Sequence, residues 1–330
     1  WQMGLALYAL HCGTGAQVAD RSGARADLRG SVVKRAPSRW GAAKPLALPA
    51  GSTRRSLWPA LAGPLAACCP GRGAEARKRW RRGAEVASLG GRRVWVADAI
   101  TNSGVSEALD HLPDAWPFSW SDFRRWDERD DAFGFVEPSF ERHIDDAGRL
   151  ALERLYADLL RGAPAGLKAL DLCASWDSHL PEGLGASRVA LLGMNGVELR
   201  ANRQGTETLV YDLNRSPSLP FDNSEFDIVI LSLSIQYLTE PREVFAEIHR
   251  CLRPGGLAVV AFSSLSFPWK AVAVWSRSFH DGAAQCKTVG TYFAFAAPGG
   301  WGSLAALDLS PHQSSLTGSN ELWAVAAVKK

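Results

Sequence analysis

Between Gly166 and Ser263 short apolar runs alternate with helical patterns, and that alternation restricts the chain to few folds. The runs are Leu167–Leu172, Arg188–Leu192 ("RVALL"), Thr208–Asp212 ("TLVYD"), Phe226–Ser232 ("FDIVILS") and Leu257–Ser263 ("LAVVAFS"). Continuous apolar runs of this length are strands buried on both faces. "GVELRANR" and Pro241–Leu252 have helical spacing, with Val244, Phe245, Ile248 and Leu252 on one face and Pro241 in the first turn. "RPGG", residues 253–256, reads as a tight turn into the fifth strand. The pattern predicts an α/β fold with a mostly parallel sheet covered by helices on both faces. Ligands in such sheets bind beyond the carboxyl ends of the strands, where the strand order reverses. That rule points to the loops after Leu172, Leu192, Asp212 and Ser232.

The segment before this unit divides in two. Residues 1–95 carry 17 Lys and Arg against 4 Asp and Glu, whereas the rest of the chain carries 20 against 30. An Arg-, Ala- and Ser-rich, acid-poor leader over residues 1–93 has the composition of a transit peptide. Chloroplast import is the expectation. A plain basic tail, or upstream translated sequence that would leave the protein cytoplasmic, is the alternative. Arg54 and Arg55 precede an apolar run over residues 57–69, a pattern similar to a twin-arginine signal for the thylakoid lumen. That run is too short to span a bilayer, and no other stretch qualifies. The acidic remainder argues against a nucleic-acid surface. The six cysteines form no C-x-x-C and no metal spacing, so neither a structural metal nor a disulfide framework is expected. Residues 94–142 are rich in Trp and Phe, punctuated by Pro, Asp and Gly, and read as an irregular wrap anchored by aromatic burial. Asp145 or Asp146 can cap a helix with Leu152, Leu155, Tyr156 and Leu159 on one face, which opens a domain over residues 143–330.

The first strand runs into "LDLCASWDSHLP", residues 170–181. A nicotinamide enzyme would need G-x-G-x-x-G here, and the sequence has none. Cys173, Ala174 and Ser175 stand where glycines are expected, all small enough for close backbone approach at negative φ. Trp176 reads either as a core anchor or as part of a reshaped pocket wall. His179 reads as a structural hydrogen bonder.

"VYDLNRSPSLPFDNSEFDIVILSLSIQYLTEPREVFAEIHRCLRPGGLAVVAF", residues 210–262, resembles class I S-adenosylmethionine-dependent methyltransferases of the type 11 group. "FVEPSFERHIDD", "LLGMNGVELRAN" and the first loop are similar to an uncharacterised plant, algal and cyanobacterial group, often plastid-targeted. The resemblance implies a Rossmann-like sheet of seven strands, the last two from "LAALDLS" and "ELWAVAAVKK". It implies S-adenosyl-L-methionine as cofactor and a small-molecule acceptor. The cofactor would meet Asp171, Cys173, Ala174 and Ser175 at the first strand, and Gly193, Met194 and Asn195 at the second. Asp212 and Leu213 would receive adenine, and Leu231 and Ser232 the methionine end. The acid that the family keeps after the second strand aligns with Gly193, and its loss weakens the expected ribose contact. Gln236 and Tyr237 take substrate-facing positions, and His143 falls in a lid helix; all three are candidates for the acceptor side. An apolar helix over residues 262–279, with Phe267, Trp269, Val272 and Trp275, would suit a lipid-like, quinone-like or aromatic acceptor. Methyl transfer needs positioning more than acid–base help, so no triad is expected. The rival expectation is a non-catalytic descendant of the fold that serves as a binding or scaffold module.

Overall fold

The computed structural model describes residues 84–89, 92–96, 103–134, 137–161, 163, 165–311 and 321–330. Most of the basic leader, its arginine pair, and Cys12, Cys68 and Cys69 lie outside the described residues. Strands β1 (Ala84–Leu89) and β2 (Arg92–Val96) pair antiparallel, so the boundary drawn at residue 93 falls within a hairpin.

The main sheet contains β3 (Lys168–Leu172), β4 (Arg188–Gly193), β5 (Glu207–Val210), β6 (Phe226–Ser232), β7 (Leu252–Ser263), β8 (Trp301–Asp308) and β9 (Leu322–Lys329). Their order is β5-β4-β3-β6-β7-β9-β8. Strands β3 to β7 pair in parallel, and β9 runs antiparallel to both its neighbours. The fold is therefore the Rossmann-like, seven-stranded, mostly parallel sheet that the pattern predicts. The chain leaves β3 in one direction toward β4 and β5, then returns to place β6 on its other side. The switch point lies between β3 and β6.

Alternating strand residues feed two cores. Leu170, Leu172, Val229 and Leu231 face one; Ala169, Val189, Ile228 and Ile230 face the other. The first core packs under α3 (Pro241–Cys251) and α5 (Gly282–Ala296), the second under α1 (Asp146–Leu159) and α2 (Gly196–Ala201). Asp145 caps α1 by accepting from the Gly148 amide at 2.7 Å. The apolar face of α3 is buried as its spacing requires, and Lys329 Nζ covers its C-terminal carbonyls, donating to His249 and Leu252 at 2.7 Å.

Three local expectations change. The "RPGG" turn lies inside β7 as a bulge: Phe226 pairs with Leu252 and Ile228 with Leu257, so residues 253–256 loop out, with Gly255 at φ +75°. Strand β5 ends at Val210, two residues short of Asp212. The helix expected over 262–279 is confined to α4 (Ala273–Arg277), because the Phe267 amide donates instead to the Tyr237 hydroxyl and Arg125 bridges to Val272. The crossover from β3 to β4, residues 173–187, contains no helix at all.

The wrap is only partly anchored by its aromatic rings. Trp116, Phe118 and Phe123 stack on one another and on Tyr292. Trp120, Trp126 and Phe133 are 73%, 89% and 80% exposed, so burial does not explain them. A buried ion pair is the second anchor. Arg125 Nη1 lies 2.6 Å from Asp131 Oδ2, and Asp131 also receives Lys270 Nζ and Asn214 Nδ2, each at 2.9 Å. Burial acts to raise the Asp131 carboxyl, but these bonds win and hold it below the usual range. Removing Arg125 leaves this buried carboxylate with Lys270 and Asn214 alone and takes away its shortest charge-assisted bond. An Arg125→Ala variant is expected to lose about 3 kcal/mol of stability in urea unfolding, and to gain a protease-sensitive site within residues 116–131. A change under about 0.5 kcal/mol would leave the aromatic cluster as the sole anchor.

Candidate functional site

The carboxyl ends of β3, β4, β5 and β6 meet around the switch point. Asp171, in β3, faces the core beneath α1 and is fully buried. Burial pushes its carboxyl up to about 7; a hydrogen bond with Ser178 opposes this, and the charge of Asp177 adds to it. Tyr156 of α1 and Ser232 at the end of β6 share a hydrogen bond of 2.6 Å beside it. Burial, and the Asp171 charge, keep the Tyr156 phenol protonated.

Cys173 follows β3 with φ +57°, the left-handed region where glycine is the usual occupant. The negative-φ geometry expected of the three loop residues therefore fails at Cys173, while Ala174 and Ser175 do not take positive φ. A left-handed non-glycine residue costs about 1–2 kcal/mol. His179, in the same loop, and Leu233, after β6, adopt φ +56° and +58°. Strained residues at both sides of a switch point are a mark of a functional edge. Burial and the charges of Asp171 and Asp212 push the Cys173 thiol up to about 12. It stays a neutral thiol at physiological pH and lies within electrostatic reach of both acids.

The Ala174 amide donates to the Leu192 carbonyl at 2.8 Å, which lays the loop across the end of β4. A Cβ built on Gly193 lands on the Ala174 carbonyl oxygen, far inside van der Waals contact. No side chain fits there, so a carboxylate at 193 is sterically excluded. The side chain that stands at this exit is Asn195. Its Oδ1 accepts from the Val197 and Glu198 amides at 2.9 and 3.2 Å and caps α2. Met194, between them, is half-buried. Ser175 turns inward: its hydroxyl donates to Glu198 and its carbonyl accepts from Asn202.

Asp212 lies in a turn, its Oδ1 accepting from the Asn214 amide at 2.9 Å. Asn214 is the hub of this edge. Its Nδ2 donates to Asp131 and to the Tyr237 carbonyl, and its Oδ1 accepts from the Thr239 amide. A cavity of about 610 Å³ opens between the wrap and this turn, lined by Trp120, Phe123, Arg125, Asp131, Asp212 and Asn214 among others. Leu213 and Leu231 are buried in the core rather than exposed at the edge.

Tyr237, whose carbonyl meets Asn214, stacks on Phe267 with ring centroids 6.2 Å apart, and His143 meets the same ring edge-on at 6.3 Å. Burial raises the Tyr237 phenol and lowers the His179 imidazole. Gln236 is buried and its amide oxygen has no hydrogen-bond partner. Trp176 touches Phe140 edge-on at 6.3 Å and is half-buried, without joining either core. Tyr156, Ser178, Glu198, Asn202 and Asn214 were not among the sequence candidates. Only the N-x-x-E capping pattern at Asn195 and Glu198 carried a readable signal.

Among the described residues no group of three or more His, Cys, Asp or Glu stands together as a metal site, and no helix is long and apolar enough to cross a membrane. Residues 192–260 match the family described as a methyltransferase domain. A demethylmenaquinone methyltransferase of Staphylococcus epidermidis is 32% identical over 101 residues, which covers 28% of this chain and 42% of that protein. The human mitochondrial 2-methoxy-6-polyprenyl-1,4-benzoquinol methylase is 31% identical over 94 residues, covering 26% and 29%. The chain thus spans less than half the length of these relatives. Among solved structures, a putative S-adenosylmethionine-dependent methyltransferase from Listeria monocytogenes aligns with TM-score 0.40 at 12% identity, covering 56% of this chain and 100% of that one.

Proposed function

We propose that this chain transfers a methyl group from S-adenosylmethionine to a small-molecule acceptor, and that a quinol-type aromatic ring is the acceptor class. The observation that carries the reading is the placement of Asp171 near the end of β3, and of Asn195 and Asp212 just beyond the ends of the neighbouring β4 and β5, within and beside the stretch that matches a methyltransferase domain. The donor set suits the cofactor's chemistry. Asp212 opens onto the cavity and can accept from an adenine amino group, while Asp171 lies buried beneath the same edge. Asn195 takes the ribose contact that Gly193 cannot supply, at lower strength than a carboxylate.

When bound, S-adenosylmethionine supplies a methyl group already activated on sulfur. The chain's own residues then position, exclude water and avoid self-reaction. Cys173, beside the site, is held as a thiol and is a poor nucleophile in that state. Tyr237, Phe267 and His143 form an aromatic flank suited to a flat ring. The names of the two quinone-methylating relatives agree with that acceptor class. The full-length chain incubated with methyl-labelled cofactor and a panel of reduced quinols should label a ring. Labelling of amines or carboxylic acids, with no quinol labelled, would replace this acceptor class.

A second reading has its own support. The blocked Gly193 position, the inward Ser175 hydroxyl and the turn-bound Asp212 favour a fold kept as a binding or scaffold module.

A further inference from the structure

The crossover after β3 has no helix, so its backbone depends on side chains for its hydrogen bonds. Asn202 and Gln204, just after α2, supply several of them, and Glu198 of α2 holds a loop side chain. Glu198 Oε2 accepts from the Ser175 hydroxyl at 2.6 Å. Asn202 Nδ2 donates to the Ser175 carbonyl at 2.9 Å and to Ser178 Oγ at 2.8 Å. Gln204 accepts from the Ser178 amide at 3.1 Å and donates to the Leu180 carbonyl.

Glu198 does more than hold the loop. It is buried, and its other oxygen accepts from the Ser139 amide at 2.7 Å. Both oxygens therefore meet uncharged donors, an expensive arrangement for a buried carboxylate. At the third position after a cap, a glutamate ordinarily turns back on its own helix. Here it joins two segments distant in sequence: the first loop, and the stretch that leads into α1. The Phe140–Trp176 ring contact ties the same two segments a second time.

We propose that Glu198 is a positioning residue, a latch that makes the first loop and residues 137–141 order as one unit over the carboxyl edge of the sheet. It substitutes for a glycine turn directly after β3 and for a following helix, both of which this crossover lacks. Its effect on the cofactor rests on the methyltransferase reading; the latch itself is a property of the free chain.

The test uses the full-length chain, Glu198→Ala and Ser175→Ala, with hydrogen exchange of residues 137–145 and 173–180 and titration with S-adenosylhomocysteine. Glu198→Ala should speed exchange in both segments by about tenfold or more, with β6 and β7 unchanged. Ser175→Ala leaves the Glu198–Ser139 bond intact, so faster exchange at Ser139 in that variant is the signature of coupling. Parent-like exchange at 137–141 in Ser175→Ala overturns the latch, and this variant serves even if Glu198→Ala fails to fold. If the parent binds the ligand, both variants should bind about tenfold more weakly, and equal binding overturns the positioning role. If the parent binds nothing, the methyltransferase reading falls while the exchange data still judge the latch.

Discussion

A Gly193→Ala variant is expected to lose about 3 kcal/mol or more of stability, although it adds a single methyl group. The added Cβ would meet the Ala174 carbonyl oxygen and press on Leu199 Cδ2, 3.2 Å away. The carbonyl cannot retreat easily. Its own residue donates to Leu192, and the next residue is held by Glu198 and Asn202. Urea unfolding with an unchanged slope would report the loss directly. Gly193→Asp should be no better, since the obstacle is the Cβ and not the missing charge. An alanine variant within about 0.5 kcal/mol of the parent would mean that the loop moves freely and the site can be rebuilt there.

Asp171→Asn should act in the opposite direction, by an amount that grows as pH rises from about 4 to about 7. The Asp171 carboxyl is raised to about 7 by burial, against about 3.9 in an unfolded chain. The folded state therefore holds the proton more tightly. The contribution of this group to stability is fully present below about pH 4 and is lost as pH rises to about 7. Asparagine keeps a neutral side chain of the same shape and never suffers that loss. At pH 8 the variant should exceed the parent by about 2–4 kcal/mol, and at pH 4 the two should nearly coincide. Other titrating groups, His179 included, are common to both proteins and cancel in the difference. Equal stability at pH 8 would show that Asp171 ionises without cost. A chain that retains such a residue gives up stability at its binding edge, and the same variant should bind the cofactor less well.

The strands were the most readable part of this chain. The runs "FDIVILS" and "LAVVAFS" are apolar throughout because β6 and β7 are covered on both faces, and burial of that kind leaves little ambiguity. Irregular segments were less legible, because their geometry depends on distant partners. The 262–279 segment has a helical apolar pattern, yet its amides find Tyr237 and its backbone bridges to Arg125, and neither partner is local. In the wrap, Trp126 and Trp116 look alike in sequence; only the second meets the Phe118, Phe123 and Tyr292 cluster. Cys173 gave no sign of its positive φ, since cysteine seldom adopts it. Gly193 did give a sign. An isolated glycine at a strand end marks close backbone approach, and alignment to a family acid concealed that meaning.

We propose that the edge built by Asp171, Cys173, Asn195 and Asp212 still holds S-adenosylmethionine despite its missing glycines and carboxylate. Isothermal titration of the full-length chain with S-adenosylhomocysteine measures it. A Kd on the order of 1–100 μM is expected, weakened about tenfold or more by Asp212→Ala. No binding below about 1 mM, or binding indifferent to Asp212→Ala, would contradict it and leave the fold as a scaffold.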